Sequence, residues 1–127
     1  LRQEFDLKNC LVVDDSRLIR KVACSILSGL DFETSEAEDG IAALDACRNH
    51  MPDVILLDLQ MPSMSGIEFL RGLRRQTNGK HPFVLLCTTE NDVQRLTEAL
   101  NAGGDQYLMK PFDNESLRDK LTQAGLV

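Results

Sequence analysis

The chain has 127 residues, 43% of them hydrophobic and 27% charged, and a net charge of −6. This composition fits one globular domain over residues 1–127 and is too apolar for intrinsic disorder. The acidic balance argues against a sequence-independent nucleic-acid binder, and the short apolar runs leave no membrane span, so neither DNA nor a bilayer is an expected partner.

Residues 1–9 carry charges and have no apolar core, unlike a signal peptide. Cys10-Leu11-Val12-Val13 is then a continuous apolar run that stops at Asp14-Asp15. Ser16 reads as a helix N-cap, followed by Ile19, Val22, Ala23, Ile26 and Leu27 at helical spacing, with Gly29 as the stop. Residues 32–36 read as a short strand and 41–48 as a helix. Pro52 marks a strand start. Val54-Ile55-Leu56-Leu57 is a second buried run, ending at Asp58.

Residues 65–76 read as a helix, with Ile67, Phe69, Leu70 and Leu73 as core candidates. Phe83 to Cys87 is a third apolar run, ending in Thr88-Thr89. Residues 91–102 are helical and closed by Gly103-Gly104. Tyr107-Leu108-Met109 is a last strand, and Asp113 caps a helix running to about Gln123. Strand and helix thus alternate five times. Apolar strands joined by helices imply an α/β fold: an open, doubly wound parallel sheet with helices on both faces.

In such sheets ligands bind beyond the carboxyl ends of the strands. Asp14, Asp15, Asp58, Thr88 and Lys110 all directly follow an apolar run, so the topology brings them to one rim. At about 4 Å and an effective dielectric near 20, each carboxylate pair there repels by about 4 kcal/mol before screening. A divalent cation removes that penalty. Oxygen-only ligands point to Mg²⁺, or Mn²⁺, rather than zinc. Lys110 adds a positive charge and Thr88 a hydroxyl donor, which together suit a phosphoryl group. Asp58 is then the natural nucleophile. Asp14-Asp15-Ser16 alone would be an ordinary cap and turn. The set together is not explained by turns.

These residues resemble a known family. Val12-Val13-Asp14-Asp15-Ser16, Leu56-Leu57-Asp58-Leu59-Gln60-Met61-Pro62, Gly66, Thr88 and Lys110-Pro111-Phe112 look like the response-regulator receiver domain of two-component signalling, most closely the stand-alone, chemotaxis-type (CheY-like) receivers. The resemblance spans residues 8–121. It implies strand order 2-1-3-4-5 for the five-stranded sheet.

It also implies roles. Asp58 would accept phosphate from the phosphohistidine of a histidine kinase or a histidine phosphotransfer protein. Asp15 and Asp58 would bind the metal directly, Asp14 mainly through water, and the backbone carbonyl of Gln60 would complete the protein ligands. Lys110 would pair with the phosphate, and the Lys110-Pro111 bond would be cis. Thr88 and Tyr107 would form the switch, and Gln60 and Glu90 would tune the lifetime of the phosphoryl group. The readout face would be the fourth helix, fifth strand and fifth helix (α4-β5-α5), near residues 91–102, Tyr107 and residues 116–120. Such a domain is expected to be cytoplasmic and monomeric, and a phosphoacceptor rather than a true enzyme. Its target would be the chemotaxis or flagellar machinery, with a phosphate relay or kinase regulation as the alternative.

Other features are weaker. Arg71, Arg74 and Arg75, with Lys80, could hold a phosphate or nucleotide, as some stand-alone receivers hold a cyclic dinucleotide; a solvated helix face is the plainer reading. Arg17, Arg20 and Lys21 could meet an acidic kinase surface or simply face solvent. His50 and His81 are expected in exposed loops. Met61, Met64 and Met109 read as packing residues. Cys10, Cys24, Cys47 and Cys87 form no C-x-x-C and read as small buried hydrophobes.

Three competing functions fit less well. A dehalogenase-type phosphatase would carry an acidic residue two positions after the nucleophile, where this chain has Gln60. A flavodoxin-like cofactor site would need a Ser/Thr/Gly-rich loop where Asp14-Asp15 would repel phosphate. A phosphorylation-independent module would not need Asp58, Thr88 and Lys110 intact.

Overall fold

The structure, a computed structural model, describes residues 7–89 and 93–127. The elements run β1 (Asn9–Val13), α1 (Arg17–Gly29), β2 (Glu33–Ala37), α2 (Gly40–Asn49), β3 (Val54–Asp58), α3 (Gly66–Arg75), β4 (Phe83–Thr88), α4 (Val93–Asn101), β5 (Gln106–Met109) and α5 (Asn114–Gln123). The five strands form one sheet in the order β2-β1-β3-β4-β5, and every neighbouring pair is parallel.

Alternation along the strands sorts the core into two layers. Leu11, Val13, Ile55, Leu57, Val84 and Leu86 face α2, α3 and α4, where Cys47, Phe69, Leu70, Leu73 and Ala99 complete a buried cluster. Cys10, Val12, Val54, Leu56, Leu85, Cys87 and Leu108 face the other way, onto Ala23, Leu27, Leu117 and Leu121 of α1 and α5. β1, β3 and β4 are buried on both faces, as their apolar runs predict.

β2 differs. Its sequence is Glu-Thr-Ser-Glu-Ala, one position later than expected, and mostly exposed, because an edge strand has one ladder neighbour and needs less apolar surface. Val22, one of the apolar residues at helical spacing, is 43% exposed, so α1 buries a narrower face than its periodicity suggests. Gly29 closes α1. It is the last residue of the helix, as expected, with Leu30 as the C-cap, and the left-handed residue just beyond is Asp31 (φ 67°). The expected start of the fourth helix at Asn91 lies outside the described residues.

The helices begin on specific caps. Ser16 accepts from the Ile19 N–H, and Asp39 from Ala42. Ser65 and Glu68 form a reciprocal capping box at 3.1 Å each way, as do Asp113 and Ser116 at 2.8 and 3.0 Å. Gly66 lets the start of α3 approach the end of β3: a Cβ there would lie 2.8 Å from Leu59 Cδ2 and 3.1 Å from Leu59 Cα.

Arg74 ties the far end of α3 to its neighbours. Its guanidinium donates to the carbonyls of Gly79 and Pro82 at 2.9 Å each and to Gly103 at 3.2 Å, and pairs with Asp105 at 3.2 Å. Gly103 has φ 124°, and a Cβ on it would strike Arg74 at 2.9 Å, so glycine and arginine are matched. The three arginines therefore do not form the cluster considered from the sequence. Arg74 is committed to backbone carbonyls, while Arg71 and Arg75 are exposed. Arg74→Met is expected to lower stability by about 2–4 kcal/mol, because carbonyls at partly buried positions lose a charged donor. Arg75→Met should change it by under about 0.5 kcal/mol. Urea unfolding of the two variants measures the contrast.

Three of the four cysteines are buried, Cys24 is partly so, and all are free thiols. Burial raises the thiols of Cys10 and Cys87 strongly and that of Cys47 to about 11, so none of these three is poised as a thiolate. No described helix is long and apolar enough to cross a membrane.

Candidate functional site

The carboxyl ends of β1, β3, β4 and β5 meet at one rim. Asp14 directly follows β1, and its N–H donates to the Ala37 carbonyl at the end of β2. The Ser16 N–H donates to Asp14 Oδ1 at 2.9 Å, so the cap that starts α1 also orients this carboxylate. Asp58 is the last residue of β3, opposite Cys87 of β4. Its Oδ1 accepts from the Gln60 N–H at 3.1 Å. Thr88 ends β4, and its carbonyl accepts from the Lys110 N–H at 2.8 Å, which holds Lys110 beyond β5.

Asp14, Asp58 and Thr88 are buried polar residues, while Asp15 is exposed. Asp14, Asp15 and Asp58 each offer a carboxylate oxygen, and these atoms lie within 4.8 Å of one another. Opposite ligands of an octahedral Mg²⁺ are about 4.2 Å apart, so the spacing and the hard oxygen donors fit that ion. Asp14 and Asp58 sit at the floor, and Asp15 leaves the site open to solvent.

Lys110 carries the positive charge of the rim. Its Nζ is 2.6 Å from Asp14 Oδ2 and 3.5 Å from Asp58 Oδ1. Its main partner here is thus Asp14, not the Asp58 expected from the sequence to carry the phosphoryl group. Burial alone would lower the Lys110 pKa, but the Asp14 hydrogen bond and the Asp58 charge raise it overall. Asp58 moves the other way from a simple ion pair. Burial holds its carboxyl above the usual carboxylate range; the Gln60 N–H and Lys110 offset this in part, and Asp14 opposes them. The rim therefore has unsatisfied negative charge that a cation or a neutralising reaction would relieve.

The peptide bond Lys110-Pro111 is cis. Tyr107 is 38% exposed. Gln60 is exposed, and its side-chain carbonyl lies 3.5 Å from the Thr89 hydroxyl. Glu90 lies outside the described residues.

Arg20 was not recognised from the sequence as part of this rim. Its Nη1 donates to the Asp14 carbonyl at 2.8 Å, and its Nε pairs with Glu36 of β2 at 2.9 Å. It braces the acidic turn from α1, and its only sequence signal is a position one turn into the helix after Ser16. His81, by contrast, is exposed as expected but pairs with Asp53 at 2.8 Å, away from these strand ends. The Asp53 carboxyl, which burial would raise, is brought below its ordinary value by that contact and by the Asn9 N–H.

Comparison with known proteins agrees with this geometry. The model of the response regulator receiver domain matches residues 10–122. The chain belongs to the response-regulator receiver family. Chemotaxis protein CheY-3 of Vibrio cholerae is 37% identical over 112 residues, covering 87% of this receiver and 86% of that protein. The solved structure of the V. cholerae chemotaxis response regulator CheY4 has a TM-score of 0.87 at 34% identity, over 92% of this receiver and 98% of that chain. The receiver domain of sensor histidine kinase PA1611 from Pseudomonas aeruginosa, solved with a magnesium ion coordinated in its active-site cleft, has a TM-score of 0.84 at 27% identity, over 92% and 96% of the two chains. This receiver is accordingly a CheY-like domain of two-component signalling, a signalling domain rather than a conventional enzyme.

Proposed function

We propose that this receiver is a phosphorylation-driven switch with Asp58 as the phosphoacceptor. The observation that carries this reading is the rim itself: Asp58, buried at the end of β3, lies beside Lys110 and within a carboxylate cluster fitted to a divalent cation. Asp14, Asp15, Asp58 and the Gln60 carbonyl would hold Mg²⁺, or Mn²⁺, which supplies charge neutralisation for phosphoryl oxygens.

The donor is a phosphohistidine on a histidine kinase or a histidine phosphotransfer protein. A carboxylate oxygen of Asp58 attacks phosphorus, the P–N bond breaks, and its electron pair stays on the imidazole nitrogen. Water later attacks phosphorus, the P–O bond to Asp58 breaks, and inorganic phosphate leaves with the carboxylate regenerated, so the domain catalyses only its own transfer and hydrolysis. Gln60 and Glu90 tune the lifetime of the phosphoryl group. The aspartyl phosphate adds negative charge and acceptor oxygens. Lys110 then turns from Asp14 toward the phosphoryl group, and the Thr88 hydroxyl donates to it. This biases a two-state equilibrium in which Tyr107 moves inward and the α4-β5-α5 face changes. Likeness to chemotaxis proteins favours a target in the chemotaxis or flagellar machinery.

Amide NMR with Mg²⁺ and then beryllium fluoride, a phosphoryl mimic, tests the reading. Mg²⁺ should shift the signals of Asp14, Asp15 and Asp58. Beryllium fluoride should extend the shifts to Thr88, Tyr107 and α4. An unchanged spectrum after both additions would refute it.

A further inference from the structure

We infer that Lys120 is a latch that holds Tyr107 outward, so that its charge sets how easily the switch is thrown. The Lys120 ammonium lies over the Tyr107 ring, with Nζ 4.7 Å from the ring centroid. This inference rests on the reading of Tyr107 as a switch residue and adds the element that opposes its movement.

The topology makes the contact meaningful. β5 is an edge strand, with Leu86 opposite Tyr107 and Thr88 opposite Met109. Residues two apart on a strand share a face, so Tyr107 and Thr88 belong to the same side of the sheet, one diagonal step apart. Leu86 identifies that side as the one covered by α4, through Ala99, Leu96 and Leu100. Lys120 comes from α5, whose Leu117 and Leu121 pack on the opposite side with Leu108. Lys120 therefore reaches Tyr107 around the open edge of the sheet. A ring turned inward beside Thr88 would pass to the α4 side and leave the ammonium. The outward contact and the inward position exclude each other.

The charge of Lys120 is available for this role. Among the described residues no ion pair of Lys120 occurs, and its side chain is only partly buried on the last turn of α5. A cation over an aromatic face at such a site changes a two-state ratio by about two- to fivefold. That factor separates a receiver that responds to partial phosphorylation from one that waits for more.

The chain carries its own reporter, since it has one tyrosine and no tryptophan. Acrylamide quenching of the intrinsic fluorescence therefore reads the exposure of Tyr107 alone. Three proteins are compared: wild type, Lys120→Met, which keeps the stem without the charge, and Lys120→Arg, which keeps the cation. Each is titrated with beryllium fluoride in Mg²⁺. Lys120→Met should show weaker quenching before the mimic is added and bind it about two- to fivefold more tightly. Lys120→Arg should match wild type. General electrostatics predicts the opposite for Lys120→Met, because removing a positive charge weakens binding of an anion.

Wild-type behaviour in Lys120→Met would overturn the latch, as would Lys120→Arg behaving like Lys120→Met. If the mimic leaves quenching of wild type unchanged, Tyr107 is not a switch residue and both readings fall. Lys120→Gln substitutes for Lys120→Met if circular dichroism shows that variant unfolded, with the same expected results.

Discussion

Asp58→Asn is expected to take up no phosphoryl group from a labelled phosphohistidine donor while keeping its fold. An amide lacks the charge and the nucleophilic lone pair that the reaction needs, so the stoichiometry should fall to about 1% of wild type or less. Asn has nearly the same volume as Asp, so the cavity at the end of β3 is unchanged. The fold should gain stability in metal-free buffer. Burial first, and Asp14 next among the groups that oppose ionisation, raise the Asp58 pKa.

The sign follows from linkage. A carboxyl whose folded pKa is raised is most favourable below the unfolded pKa, about 3.9, and its contribution is lost as pH rises through the folded value. At neutral pH the ionised Asp58 therefore opposes folding, and the advantage of Asn should vanish on acidification. Mg²⁺ should act in the reverse sense. At a concentration ten times its Kd it would stabilise wild type by about 1.4 kcal/mol, and Asp58→Asn by less. Phosphotransfer assays and urea unfolding with and without Mg²⁺ check each point. Retention of an alkali- and hydroxylamine-labile label on the variant would remove Asp58 from its assigned role.

Lys110→Met carries the second largest effect, and here stability and signalling change together. Lys110 lies against Asp14, with both side chains largely buried. Removing one partner of a buried pair leaves the other charge uncompensated, which costs about 3–5 kcal/mol. Because the folded Lys110 pKa is raised, the pair's contribution is fully present below the unfolded value near 10.4 and is lost only as pH rises through the folded value. The loss should thus appear across the physiological range. Mg²⁺ should recover part of it, since the ion takes over neutralisation of the rim. Slow phosphoryl uptake should persist, because Asp58 remains. The inward movement of Tyr107 should not follow, because no cation turns from Asp14 to the new oxygens. Wild-type stability in metal-free urea unfolding, or a normal fluorescence response to beryllium fluoride, would contradict this account.

The sequence by itself determined what depends on neighbours along the chain. The apolar runs of β1, β3 and β4 marked the buried strands because those strands lack a solvent face. Ser16 and Asp113 marked helix starts because capping is satisfied within four residues. The polar residues that close the apolar runs, Asp14, Asp15, Asp58, Thr88 and Lys110, were legible as one rim because parallel topology aligns the strand ends.

Only the tertiary structure decided what depends on which elements become neighbours. β2 resisted a pattern reading because an edge strand need not be apolar. Val22 has the right period for the core and still faces solvent, because periodicity sets the direction of a face but not its width. The tertiary structure turned Lys110 to Asp14, brought Arg20 to the Asp14 carbonyl, committed Arg74 to three carbonyls, and laid Lys120 over Tyr107. Each of these involves a long cationic side chain whose partner lies on another element. Such a side chain spans several ångströms in any of several directions, and only the packed neighbours choose among them.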